Sequence, residues 1–342
     1  MKVGVMGAGA IGCCVGGRWA HAVPTDEVVL IGRPAAMKEI DDKGLTVVDN
    51  AGSATVKVKT ATSALALKGC DIVLVCVKSG QTDEVAQQLK RVLGEGAAGA
   101  PAVVVSLQNG MGNPARLRAH ISGAQQRVLG GVVGFNVVTE GGGRFRKTTT
   151  GLIAVEESGG DIEKALYGNL RTAGFDVLVS DDIAGVQWSK LVMNLNNAVS
   201  ALTDAPTVQL IFEERYRKIV GAVMAEAIAV FKAAGVKPKK LGPLPPSLFP
   251  LLLSLPTPLV KVLARAQIQI DPEARSSMWE DLQRRRLTEV DELNGEIVRL
   301  AAKAQTTAPL SARIVELVHA AEQRALGSPK MSAEQLWTAL HS

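Results

Sequence analysis

The chain has 342 residues, which at roughly 150 residues per domain is enough for about two domains. Apolar residues make up 47% and charged residues 21%, a balance that excludes wholesale disorder, collagen and a simple coiled coil. Lys and Arg total 38 against 33 acidic residues; this excess favours an anionic ligand without pointing to nucleic acid, and aromatics at 4% offer little for stacking bases.

The four cysteines, Cys13, Cys14, Cys70 and Cys76, form no CxxC pair and no Cys/His cluster with zinc spacing, so no metal is expected. Met1 runs directly into a strand-like segment without the charged, apolar and cleavage regions of a signal peptide, which predicts a cytoplasmic protein.

In chain order, Val-rich runs at 2–6, 27–31, 71–77 and 102–107, bounded by Gly, Pro or Asp, read as buried strands, with helices at 12–22 and 82–93 between them. That alternation predicts an α/β fold with a Rossmann-type, doubly wound parallel sheet. Residues 128–155 read as strands separated by the glycines at 141–143, followed by a helix over 161–173 and a strand over 175–179. Beyond Asp182 helical periodicity takes over, through 186–202, 212–234, 279–304 and 310–326, so a C-terminal all-α domain is expected. The predicted division is 1–181 for a nucleotide-binding domain and 182–342 for a helical substrate domain. The most apolar segment, 244–263, carries Pro245, Pro246, Pro250, Pro256 and Pro258. A membrane-spanning helix would not tolerate so many lost amide donors, and the segment reads as a loop with short helical turns that could serve as a lid.

Gly7-Ala8-Gly9-Ala10-Ile11-Gly12 follows the first strand and opens a helix, the context a dinucleotide fingerprint requires. Gly7 permits a tight turn, Gly9 lets the backbone approach a pyrophosphate, Gly12 allows close helix–strand packing, and the helix N-terminus offers amides to phosphate. The second strand ends in Ile31-Gly32-Arg33 where an NAD enzyme would carry an acid for the ribose hydroxyl; Arg33 suits a 2′-phosphate, so NADP is expected. Lys78 with Gln81, and Asn109 within Gln108-Asn109-Gly110, follow the next two strands at their carboxyl ends, where open α/β sheets bind ligands.

In the helical half, Lys190, Asn194 and Asn197 fall at i, i+4 and i+7, which on one helix arrays an ammonium and two amides on one face. Asn is a poor choice for a merely solvated helix, so the stripe reads as a site. Ser277 and Glu280 have capping-box spacing, a structural use of that serine which does not exclude ligand contact. Glu289 lies 12 residues beyond Ser277, roughly 18 Å along a continuous helix, so the two are expected to serve different ligands, one the substrate and the other the cofactor.

This combination resembles the ketopantoate reductase (2-dehydropantoate 2-reductase) family over nearly the whole chain: GAGAIG at 7–12, Arg33, Lys78 with Gln81, Gln108-Asn109-Gly110, the Lys190 helix, and Ser276-Ser277-Met278 with Thr288-Glu289 downstream. The resemblance implies that Lys190 protonates the ketone, that Asn109 touches both cofactor and substrate, that Asn194 and Ser277, with Asn197 as a further asparagine, bind a small 2-keto acid, and that Glu289 contacts NADP. A homodimer is compatible with it, and neither nucleic acid nor membrane is implied. Three features depart from the family pattern: the segment from Asn197 to Thr203 is longer than the usual Asn-Pro-Leu-Thr, a further substrate asparagine has no counterpart between Asp204 and Phe212, and the Pro-rich stretch is an elaboration. Alternatives of other kinds are a related NADP-dependent keto or hydroxy acid dehydrogenase, and an NADP-sensing regulator without turnover; the Lys190 stripe argues against the latter, since a sensor needs no proton donor.

Overall fold

The eight-stranded sheet at the centre of the N-terminal half follows directly from the β-branched runs. The structure is a computed structural model that describes residues 1–50, 52–93, 102–121, 127–242, 244–265 and 274–342, in two units, Met1–Ala184 and Gly185–Ser342. In the first unit the elements run β1 (Lys2–Met6), α1 (Ala10–Ala22), β2 (Glu27–Ile31), α2 (Pro34–Lys43), β3 (Leu45–Asp49), β4 (Gly52–Val56), β5 (Lys59–Ala61), β6 (Ile72–Val75), α3 (Thr82–Leu93), β7 (Val103–Ser106) and α4 (Asn113–His120). They continue with β8 (Arg127–Val133), β9 (Val137–Gly141), β10 (Arg144–Lys147), β11 (Ile153–Glu156), α5 (Asp161–Thr172) and β12 (Val177–Ser180).

The sheet order is β12-β11-β8-β7-β6-β1-β2-β5, parallel except where β11 runs against β8. Alternation within the strands divides the core. Ile72 and Leu74 join Val3, Val5, Cys13 and Trp19 on one side, while Val73 and Val75 join Met6, Val85 and Leu89 on the other. Both faces of the central strands are covered, which is why these strands read as unbroken apolar runs. Each fully buried Val or Leu contributes about 1.5–3 kcal/mol, and a one-residue slip would exchange the two faces.

A second, four-stranded sheet, β4-β3-β10-β9, is inserted in this unit. Gly141, Gly142 and Gly143, all at positive φ, make the turn from β9 to β10 that the glycine run predicts.

The second unit is helical: α6 (Ile183–Asn194, starting at the boundary), α7 (Asn196–Thr203), α8 (Thr207–Phe212), α9 (Glu214–Ala233), α10 (Phe249–Ser254), α11 (Thr257–Arg265), α12 (Ser277–Gln283), α13 (Asn294–Lys303), α14 (Pro309–Arg324) and α15 (Ala333–Leu340). Two expected long helices are divided. The 186–202 helix breaks at Leu195, whose amide bonds the Val192 carbonyl three residues back instead of four. The 279–304 helix ends after Gln283: Arg285 takes a left-handed conformation at φ 54°, the Arg286 amide closes on the Asp281 carbonyl, and turns fill the chain to Asn294. The Pro-rich segment forms a 3₁₀ turn at Pro246–Leu248 followed by α10 and α11, with Pro250 in the first turn of α10, where a missing amide costs nothing. Buried Arg217 on α9 holds this segment, donating to the carbonyls of Ile211, Phe212, Leu253 and Leu255 and to Thr257 Oγ1 at 3.0–3.4 Å.

Candidate active site

In the first unit, strand register brings the singled-out loops into one row. Met6 pairs with Ile31 on one side and Val75 on the other, and Val75 pairs with Ser106, so β2, β1, β6 and β7 end level. The loops that leave them carry, in spatial order, Arg33, the glycine turn, Lys78 with Gln81, and Asn109. Three interstrand steps of about 4.8 Å give the row a length of about 14 Å. The reversal of strand order between β1 and β6 falls inside it, the topological position at which such sheets hold dinucleotides.

The glycine turn has the geometry its sequence predicts. Gly7 sits at φ 109°, and its amide and that of Ala8 both bond the Ile31 carbonyl at 3.0 and 2.8 Å. A Cβ on Gly12 would lie 2.2 Å from the Gly7 oxygen and 2.9 Å from Val5 Cγ1, so α1 can pack this close to β1 only with glycine there. Gly9 caps α1 with no side-chain bond, and a Cβ on it would meet nothing within 4 Å. The amides of Ala10, Ile11 and Gly12 lie in the first turn of α1, where a helix has no internal acceptors and presents its positive dipole end. An open position over free amides fits a pyrophosphate. Arg33, exposed at the start of α2, forms no ion pair among the described residues, and no acid stands at the end of β2.

The loops after β6 and β7 are joined by a buried polar network that sequence reasoning missed. The Asn109 carbonyl accepts from Ser79 Oγ at 2.9 Å and Asn113 Nδ2 at 2.6 Å. Thr82 Oγ1 lies 2.7 Å from Asn113 Oδ1 and accepts from Gln108 Nε2 at 2.8 Å, and Ser106 Oγ donates to Gln108 Oε1 at 3.0 Å. Ser79, Thr82, Ser106, Gln108 and Asn113 are all buried, whereas Asn109 is half-buried and Lys78 and Gln81 are exposed.

In the second unit, Lys190 lies on α6, half-buried, with Asn194 on the same helix one turn on. Burial pushes its ammonium down to about 8, and no carboxylate pairs with it among the described residues. Asn197 falls on α7, beyond the break at Leu195, so the three-residue stripe does not lie on one continuous helix. Asn197 is instead brought to the start of α12: Ser276 Oγ donates to its carbonyl at 2.9 Å and accepts from the Trp279 amide at 3.1 Å. Ser276 is therefore the helix cap. Ser277, expected in a capping box, is the exposed first residue of α12, with capping removed as the reason for it. Glu289 is half-buried in the turns between α12 and α13, so the 18 Å separation along a continuous helix does not apply.

With these residues placed, the model of the family described as ketopantoate reductase PanE/ApbA matches residues 3–160, and that of its C-terminal part matches 182–322. The chain belongs to the ketopantoate reductase family. A PanE/ApbA family ketopantoate reductase from Ralstonia eutropha JMP134 is 32% identical, with 95% of this chain and 99% of that chain covered and a TM-score of 0.79. The 2-dehydropantoate 2-reductase of Pyrococcus horikoshii is 27% identical over 96% of this chain and 100% of its own length. D-mandelate dehydrogenase, solved with NADH and anilino(oxo)acetate, shares the fold at 23% identity, with 95% and 99% covered and a TM-score of 0.75. The ketopantoate reductase family is one of nicotinamide-dependent oxidoreductases, and this member is an enzyme of that class. Among the described residues no helix is long and apolar enough to cross a membrane and no group of His, Cys, Asp and Glu could hold a metal ion.

Proposed function

We propose that this family member reduces ketopantoate (2-dehydropantoate) to (R)-pantoate with NADPH, a step toward pantothenate and coenzyme A. The observation that carries the reading is Lys190: a half-buried ammonium with a depressed pKa and no carboxylate partner among the described residues is costly to keep unless a proton must be delivered there. When bound, the reduced nicotinamide supplies a hydride to the C2 carbonyl. Carbonyl reduction leaves an alkoxide, and Lys190 Nζ donates the proton that quenches it; with a pKa of about 8 the amine is mostly reprotonated from water at neutral pH. Asn109 orients both ligands, and Asn194, Asn197 and Ser277 hold the carboxylate and hydroxyl of the substrate.

For the cofactor, the amides of Ala10, Ile11 and Gly12 take the pyrophosphate beside Gly7, Ala8 and Gly9, Arg33 takes the 2′-phosphate, Lys78 and Gln81 take phosphate or ribose, and Glu289 is a further cofactor contact. Arg33, exposed and without an ion pair among the described residues, supports NADPH over NADH. Apart from Asn109 and Glu289, the division of labour follows the two domains read from the sequence, 1–181 for NADP and 182–342 for substrate. A second reading, reduction of another 2-keto acid by the same machinery, is favoured by the Pro-rich elaboration at 241–258. NADPH oxidation measured across a panel of 2-keto acids tests both. The highest kcat/KM on ketopantoate supports the first, the highest on another acid supports the second, and nucleotide binding with no turnover on any carbonyl refutes both.

A further inference from the structure

The network between the β6 and β7 loops converges on the backbone of Asn109. The Asn109 carbonyl can only accept, so Asn113 must turn Nδ2 toward it, and Nδ2 also reaches Ser79 Oγ at 3.0 Å. That orientation leaves Asn113 Oδ1 facing Thr82 Oγ1 at 2.7 Å, and the single threonine proton is shared between it and the Ser79 carbonyl at 2.8 Å. Having given its proton inward, Thr82 accepts from Gln108 Nε2, whose Oε1 in turn accepts from Ser106 Oγ. The chain Ser106, Gln108, Thr82, Asn113 thus leads to the backbone of Asn109, with the Ser79 carbonyl as a second acceptor for Thr82. Aligned bonds of this kind polarise one another in a dry interior. Gln108, adjacent to Asn109 in sequence, is buried and engaged in this network at both ends of its amide.

We infer that Thr82, through Asn113 and Ser79, is a positioning residue that fixes the backbone of Asn109 and so aims its side chain at cofactor and substrate. The inference rests on the ligand role proposed above for Asn109. Thr82 sits where the two loops meet: its own helix α3 follows the β6 loop, while Gln108 and Asn113 flank Asn109 in the β7 loop. Arg116 closes the same junction from α4, donating to the Ser79 carbonyl at 2.9 Å and to the Asp83 carboxylate. Without the Thr82 hydroxyl, Asn113 Oδ1 and Gln108 Nε2 lose a common partner in a buried place. Asn113 is then no longer held against α3, and any turn of its side chain toward a new donor for Oδ1 withdraws Nδ2 from the Asn109 carbonyl.

The test compares Thr82→Val and Thr82→Ser in the full chain, by NADPH fluorescence titration and steady-state kinetics with ketopantoate. Displacements on the scale of 1 Å cost up to about 100-fold in rate, so Thr82→Val is expected to lower kcat/KM by about 10- to 100-fold and to weaken NADPH binding, while Thr82→Ser stays within about threefold of the unmodified protein. Acting through Asn109, Thr82→Val adds less than about threefold when Asn109→Ala is already present. Should Thr82→Val not fold, Ser79→Ala removes one donor to the Asn109 carbonyl and is expected to lower kcat/KM by about 3- to 10-fold. A folded Thr82→Val with unchanged kcat/KM and NADPH affinity, or a full additive loss in the Asn109→Ala background, overturns the inference. A merely structural role would lower the melting temperature and leave the kinetics of the folded protein unchanged. Failure of the underlying functional reading registers separately, as no NADPH titration or no turnover in the unmodified protein.

Discussion

Replacing Lys190 with methionine is expected to make the protein more stable and nearly inactive. Methionine keeps a long flexible side chain and removes the charge. The fold moves the ammonium from its ordinary 10.5 to about 8, which at about 1.36 kcal/mol per unit means that about 3 kcal/mol opposes the charged form at neutral pH. Lys190 is half-buried, and solvent screening reduces the recoverable part to about 1–2 kcal/mol. At about 2–4 °C per kcal/mol for a protein unit of this size, Lys190→Met should raise Tm by about 2–8 °C at pH 7. Because the folded pKa is the lower one, the unfolded chain binds more protons between pH 8 and 10.5. The penalty is therefore complete below pH 8 and relieved as pH rises toward 10.5, and the stability gain of the variant must shrink over that window. Turnover should fall by about 10²- to 10⁴-fold with NADPH affinity preserved. In the unmodified enzyme, kcat/KM for reduction should be level near neutrality and decline by about tenfold per pH unit above about 8, as Lys190 loses its proton. Thermal melts at pH 7 and 10.5, with NADPH oxidation across pH, measure all of this. A variant that melts lower at pH 7, or that keeps kcat within a few-fold, refutes the assignment.

Three further outcomes are expected. Arg33→Asp should narrow or reverse the preference for NADPH over NADH, read as the ratio of kcat/KM values; equal values for both cofactors in the unmodified protein would sink the role of Arg33. Gly9→Ala should leave Tm nearly unchanged, since its Cβ enters open space, yet weaken NADPH binding by about 10-fold or more, whereas Gly12→Ala should destabilise by about 1–3 kcal/mol because its Cβ meets the Gly7 oxygen at 2.2 Å. Arg217→Met should cost about 3 kcal/mol or more by leaving the carbonyls of Ile211, Phe212, Leu253 and Leu255 without a donor, and limited proteolysis should then cut first within 246–262.

What could be read from the sequence was what local chemistry decides. The central strands are covered on both faces, so β1, β2, β6 and β7 are Val-rich runs, and their loops could be placed because ligands gather at strand carboxyl ends. Strands β4 and β5, GSATV and KTA, carry little apolar signal, since β4 is an edge of the small sheet and β5 an edge of the large one. The division of the 279–304 helix left no mark either: Arg285 takes the left-handed conformation usually given to glycine, and neither Gly nor Pro announces it. At the start of α12 two adjacent serines compete for one capping position, and the pattern Ser277-x-x-Glu280 favours the wrong one. Contact decides it, because Ser276 Oγ reaches both the Trp279 amide and the Asn197 carbonyl on α7. The same distinction runs through the site. Glycines and charges beside strand ends declare themselves, whereas the groups that aim Asn109 do not: Thr82 meets Gln108 across 26 residues and Asn113 across 31, and each reads alone as an ordinary polar residue. Ligand-facing residues carry chemistry that a motif records, while the residues that support them carry only complementarity to a neighbour that the chain order keeps distant.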